Sequence, residues 1–176
     1  MSPLHSDNPD HVLALMAPAL VDAPKEPALR TGTQQTARRA IEVLVSKGLG
    51  FHEPKKRERD ALLIAFASCG KAIHGAAFDI VRLSTYIDLT DQRAICANMD
   101  KLELFEVKST NRPGLEDDFR GYFFNLTTAE LLVAQALGSR FRFAFVNTVT
   151  RHHIELTLQE VFARARGIYP TWSIKF

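Results

Sequence analysis

Two short runs rich in β-branched and aromatic residues, Leu102–Ser109 (LELFEVKS) and Arg140–Asn147 (RFRFAFVN), are separated by an apolar stretch that opens with Thr127-Thr128-Ala129-Glu130. A threonine followed three residues later by a glutamate is the capping-box signature of a helix start. The flanking runs read as strands because they are short and apolar, and the second turns wholly apolar at its end, as a strand entering a core does. Strand, helix and strand in succession restrict the chain to an α/β architecture around a mixed sheet. An earlier run, Ala76–Leu83 (AAFDIVRL), adds a buried strand with a single acid, Asp79, in its middle.

The rest of the chain agrees with that frame. Ala37, Ala40, Ile41, Leu44 and Val45 recur at helical spacing and are followed by Gly48 and Gly50 as stop signals, which predicts a helix over 33–47. Phe51–Pro54 reads as a short break, and KKRERD leads into ALLIAF as a second helical or mixed segment ending near Gly70. Thr157 and Glu160 repeat the capping signature before Val161–Arg166, with Gly167 and Pro170 ending that helix ahead of an extended piece, Trp172–Phe176. Five of the eight prolines fall within residues 1–31, which marks an irregular N-terminal arm with room only for a short helix at Val12–Met16. The expected organisation is therefore an arm over 1–31 and one domain over 32–176, an α/β sandwich with a central mixed sheet flanked by helices.

Bulk properties narrow the function classes. A chain of 176 residues buries a core without metal or disulfide staples. A net charge of +2 excludes a protein that coats nucleic acid by charge alone, so any polyanion contact must be local. The two cysteines, Cys69 and Cys96, lack CxxC spacing and read as buried free thiols in a reducing compartment rather than a zinc knuckle or a disulfide framework. No run reaches the roughly 18 apolar residues of a membrane span, so a cytoplasmic protein is expected.

Glu106-Val107-Lys108 places a carboxylate and an ammonium two residues apart on a strand, where the period of two aims both at one face. Phosphodiester hydrolysis requires carboxylates that hold a divalent metal, a water made nucleophilic, and a cation for that water or the developing charge. Asp79 supplies the second carboxylate. Among Ala76, Ala77, Phe78, Ile80 and Val81 it is costly to ionise unless a metal or Lys108 pairs with it.

An acid in an apolar strand followed by a strand with Glu-x-Lys resembles the PD-(D/E)xK superfamily of restriction enzymes and repair nucleases. One branch, nuclease-like domains found beside helicases and restriction systems, is similar over roughly residues 33–147. Its core, G-x-D-I, then EVK-[ST]-[ST], then an aromatic patch and LT-x-x-E, corresponds to Gly75–Ile80, Glu106–Thr110 and Tyr122–Glu130, followed by the apolar strand Phe141–Val146. Two features depart from the pattern: Gly75 stands farther from its acid, and the gap from Asp79 to Glu106 is longer. An insertion is expected in that gap, with Asp88, Asp91 and Asp100 as alternatives to Asp79.

The resemblance implies a restriction-endonuclease-like fold and a magnesium-dependent endonuclease, with manganese as a substitute ion. Asp79 and Glu106 would bind the metal, Lys108 would orient or activate the attacking water, and Glu42 on the first helix would be a further ligand. Glu42 paired with Arg38 or Arg39 on a solvated face is the plainer reading. Arg112 and Arg120, in the loop after the Glu-x-Lys strand, and Lys55 and Lys56, in the densest basic run, are candidate DNA phosphate contacts, with Ser109 and Thr110 as aids. Arg57 and Arg59 belong to the same basic run, which mixed with Glu58 and Asp60 also reads as a solvated helix start. Glu130 is accounted for by its capping box, and His152-His153 reads as a surface or partly packed pair. DNA is the expected partner, with a homodimer to cut both strands and a partner subunit for target recognition. A non-catalytic assembly module on the same fold and an RNA-directed nuclease are the alternatives.

Overall fold

The computed structural model describes residues 33–169. Residues 33–164 form one compact unit that contains every described candidate residue. The N-terminal arm, the Val12–Met16 helix and the Trp172–Phe176 extension lie outside the described residues.

Five helices and five strands make up the unit. Helix α1 (Thr33–Ser46) leads to β1 (Phe51–His52), then α2 (Lys56–Ser68), β2 (Ile80–Leu83), α3 (Gln92–Ala97), β3 (Leu102–Thr110), α4 (Thr128–Leu137), β4 (Phe141–Asn147), β5 (His153–Leu156) and α5 (Leu158–Arg164). The sheet order is β1-β2-β3-β4-β5. Only β3 and β4 are parallel, and α4 is the crossover such a pair requires; the other neighbours are antiparallel. The fold is thus α/β, an open five-stranded mixed sheet flanked by helices. No described helix is long and apolar enough to cross a membrane.

Alternation along the strands divides the interior in two. Ala40, Val43 and Leu44 of α1 pack on Phe51, Ile80, Phe105, Val107, Ala144 and Val146 on one face. The other face carries Val81, Leu102, Leu104, Phe141, Phe143, Phe145 and Leu156 under residues of α2, α3, α4 and α5. Gly50 makes the turn from α1 into β1 at φ +82°, where a Cβ would strike the Leu83 carbonyl oxygen.

Both capping boxes form: Thr127 with Glu130 before α4, and Thr157 with Glu160 before α5. The strand expected over Ala76–Leu83 is shorter. Gly75–Ala77 is a 3₁₀ turn, and Asp79 stands immediately before β2 rather than inside it. The cause is Arg59, whose guanidinium donates to the carbonyl oxygens of Gly75 (2.7 Å), Phe78 (2.6 Å) and Asp79 (3.0 Å) and lies over the Phe78 ring. Those carbonyls are therefore spent on a side chain rather than a sheet ladder. The insertion expected between Asp79 and Glu106 is filled by α3 and a 3₁₀ turn at Met99–Lys101. The cysteines are not the buried pair expected: Cys69 is exposed and Cys96 half-buried.

Candidate functional site

Asp79 stands one residue before the pairing of Ile80 with Phe105, and its amide donates to the Phe105 carbonyl at 2.8 Å, one residue out of register with the β2–β3 ladder. The Asp79 carboxylate lies near enough to Glu106 for its charge to raise the Glu106 carboxyl, and alternation along β3 puts Glu106 on the face of Leu104. An Asp79 carboxylate oxygen accepts the Val107 amide at 2.9 Å, which fixes its rotamer against β3. Lys108 follows on the same face and donates to Glu106 at 3.0 Å and to Glu130 at 2.8 Å. The structure thus brings Asp79, Glu106 and Lys108 together and adds Glu130 from α4.

The site is nearly dry. Side-chain exposure is 12% for Glu106 and for Lys108 and 4% for Glu130. Phe143 and Phe145 of β4 stand beside Glu106 and Lys108 in the parallel register. Tyr122 and Phe124, from the loop after β3, pack on Phe145 with centroids 6.2 and 4.9 Å away. The Tyr122 hydroxyl donates to the Ser109 carbonyl at 2.6 Å and is pushed up to about 12 by burial.

Burial also drives the Glu106 carboxyl up to about 8; the charges of Asp79 and Glu130 add to the rise, and Lys108 opposes it. Three carboxyl groups thus interact around one ammonium. The opposite face differs: there Arg82 and Arg142 answer Glu103 at 2.6 and 3.2 Å, and Arg82 answers Glu155 at 2.7 Å. Asp79 and Glu106 are the oxygen donors available to a hard cation on the Lys108 face, and among the described residues no group of three His, Cys, Asp or Glu is arranged to hold a metal.

Several expected residues are placed elsewhere. Glu42 is exposed on α1 and pairs with Arg38 at 3.5 Å. Its helix covers the face opposite Glu106 and Lys108, so it does not join them; it lines a groove with Ile41, Val45, Ser46, His52 and Glu53. Ser109 lies on the α1 face by strand alternation, paired with Val146. Thr110 falls on the Lys108 face by the same alternation but is buried, and its hydroxyl accepts the Arg112 amide at 3.3 Å. Asp88 caps Thr90, Asp91 caps α3, and Asp100 is exposed, which leaves Asp79 as the acid whose charge bears on Glu106.

Arg112 and Arg120 are exposed in the loop that follows β3, and the Arg120 guanidinium lies 3.9 Å from Glu116 and 3.5 Å from Asp118. Lys55 and Lys56 are exposed at the start of α2, one turn before Arg59. Arg59, read with them as part of a basic run, is instead turned inward onto the backbone that presents Asp79. The half-buried His153 lies 3.5 Å from Glu155, and the half-buried His152 stacks on Phe119, a partly packed pair as expected.

Glu130 is the residue that the sequence reading explained by its cap alone. The signal for more was its spacing with Val133, Ala134 and Leu137, which places it on the buried stripe of α4. A carboxylate at the head of a core-facing stripe needs a partner, and Lys108 is that partner. No family model, curated protein or solved structure matches the chain.

Proposed function

We propose that the chain is a divalent-metal-dependent endonuclease that hydrolyses DNA phosphodiester bonds, of the restriction or defence type, on a restriction-endonuclease-like core. One observation carries the reading: the Asp79 carboxylate, held by the Val107 amide, acts on Glu106 in one site, with Lys108 two residues beyond Glu106 and on the same face. The order α1-β1-α2-β2-α3-β3-α4-β4, with β3 and β4 parallel, supports it as the arrangement in which the motif residues meet.

The donor set fits magnesium or manganese. Two carboxylates, Asp79 and Glu106, interact in a largely buried site with an excess of acid, and magnesium is commonly held by one or two carboxylates with water and substrate phosphate completing its shell. Asp79 and Glu106 would hold the ion. When bound, it supplies Lewis-acid polarisation of the scissile phosphate and lowers the pKa of water. The Lys108 ammonium, fixed by Glu106 and Glu130, orients the attacking water or meets the charge that develops on the phosphate. Arg112, Arg120, Lys55 and Lys56 are proposed phosphate contacts. Cutting both strands of a duplex calls for two copies related by a two-fold axis, and recognition of a target calls for loops or a partner subunit.

Incubation of duplex DNA with the purified chain and magnesium tests the reading. Cleavage is expected with the wild type, none with a chelator, and a loss of about 10²–10⁴-fold in Lys108→Ala. Unchanged cleavage by that variant rejects the mechanism, and cleavage of RNA but not DNA reassigns the substrate.

A non-catalytic assembly module is the rival reading. The engagement of Lys108 by two glutamates, and the lack of a three-donor cluster among the described residues, favour it. Calorimetry separates the two, because a module need not bind magnesium or manganese at millimolar concentration.

A further inference from the structure

Cys69 and Cys96 are the only cysteines in the chain, and they lie 27 residues apart. Cys69 ends α2, with its amide bonded to the Ala65 and Phe66 carbonyls. Cys96 lies on α3, which packs against α2. The two thiol sulfurs approach to 2.9 Å, and the Cys96 thiol also reaches the Ala65 carbonyl at 3.4 Å. A disulfide bond is about 2.05 Å long, so the sulfurs are within about 1 Å of bonding distance while both helices keep their places. Cys69 is exposed and meets a dissolved reagent first; Cys96 is half-buried behind it.

We propose that Cys69 and Cys96 form a redox-modifiable pair, closed to an intramolecular disulfide by exchange with a low-molecular-weight disulfide such as oxidised glutathione. The Cys69 thiolate attacks one glutathione sulfur, the glutathione S–S bond breaks, and the first glutathione thiolate leaves and takes up a proton. The Cys96 thiolate then attacks the Cys69 sulfur of the mixed disulfide, and the second glutathione leaves in the same way. Two protein thiols are oxidised and one small disulfide is reduced to two thiols. The new bond staples α2 to α3 and closes the loop that includes the Arg59-bound turn and β2, so the oxidised chain unfolds at higher temperature.

The test incubates the full chain with excess oxidised glutathione and reads thiol content, intact mass and thermal midpoint. The expected result is loss of both thiols, a mass lower by two hydrogens with no glutathione retained, and a raised midpoint that a dithiol reductant reverses. Cys96→Ser should instead keep one glutathione on Cys69. Wild-type chain that retains glutathione on either cysteine, or keeps both thiols free where Cys96→Ser is modified, overturns the proposal. A closed disulfide without a raised midpoint overturns the stapling of α2 to α3.

Discussion

Lys108 sits between two glutamates with different second duties. The Glu130 carboxylate also accepts the Thr127 amide and so completes the cap of α4. Glutamine serves equally in a capping box, so Glu130→Gln keeps the helix start and removes the charge that holds Lys108. We predict that this variant unfolds near the wild-type midpoint yet cleaves at least about tenfold more slowly. Glu130→Ala additionally loses about 1 kcal/mol of capping, measurable by urea unfolding. Glu106 gives a pH signature in metal-free buffer. Its folded value of about 8 lies above the ordinary glutamate value of 4.5, so the folded chain holds this proton more tightly than the unfolded chain does. Its contribution to stability is full below the unfolded value and is lost as pH rises through the folded one. Glu106→Gln should therefore gain stability relative to the wild type between about pH 5 and pH 8, read from urea midpoints. A constant difference across that range would show that burial does not hold the proton on Glu106.

At the scale of elements, the parts legible in the sequence were those fixed by local periodicity or capping: α1, α2, α4, α5, β3 and β4 all lie within a few residues of their expected bounds. The misses have physical causes. Strand β1 has two residues and α3 six, too short for a period to register, and β5 carries histidine and glutamate on a partly covered face. The truncation of β2 depends on Arg59, whose carbonyl partners lie 16 to 20 residues away, so nothing near Asp79 announces it. The common face of Glu106 and Lys108 was legible because a strand's period of two fixes it, whereas Asp79 stands before β2 and reaches β3 through the Val107 amide. Glu42 was not, because only the packing of α1 decides which side of the sheet its residues reach. Arg59→Ala should cost about 2 kcal/mol through loss of charged bonds to buried carbonyls, and should slow cleavage because the turn that presents Asp79 is released. Arg59→Lys should recover only part of the stability, since an ammonium cannot reproduce the planar fork of the guanidinium. Full activity in Arg59→Ala would detach that turn from the chemistry.

Across the whole molecule the sheet separates two electrostatic regimes. On the α1 face, Arg82 and Arg142 meet Glu103 and Glu155, and little charge is left unanswered there. On the other face, Glu106 and Glu130 hold Lys108 under aromatic cover while the charge of Asp79 bears on Glu106, and that excess of acid is the physical reason to expect a cation. Diffraction from crystals soaked in manganese tests this most directly. An anomalous peak touching one oxygen of Asp79 and one of Glu106 is expected, absent in Asp79→Asn. An intact fold with no peak there at millimolar manganese, or with manganese bound only elsewhere, would contradict it.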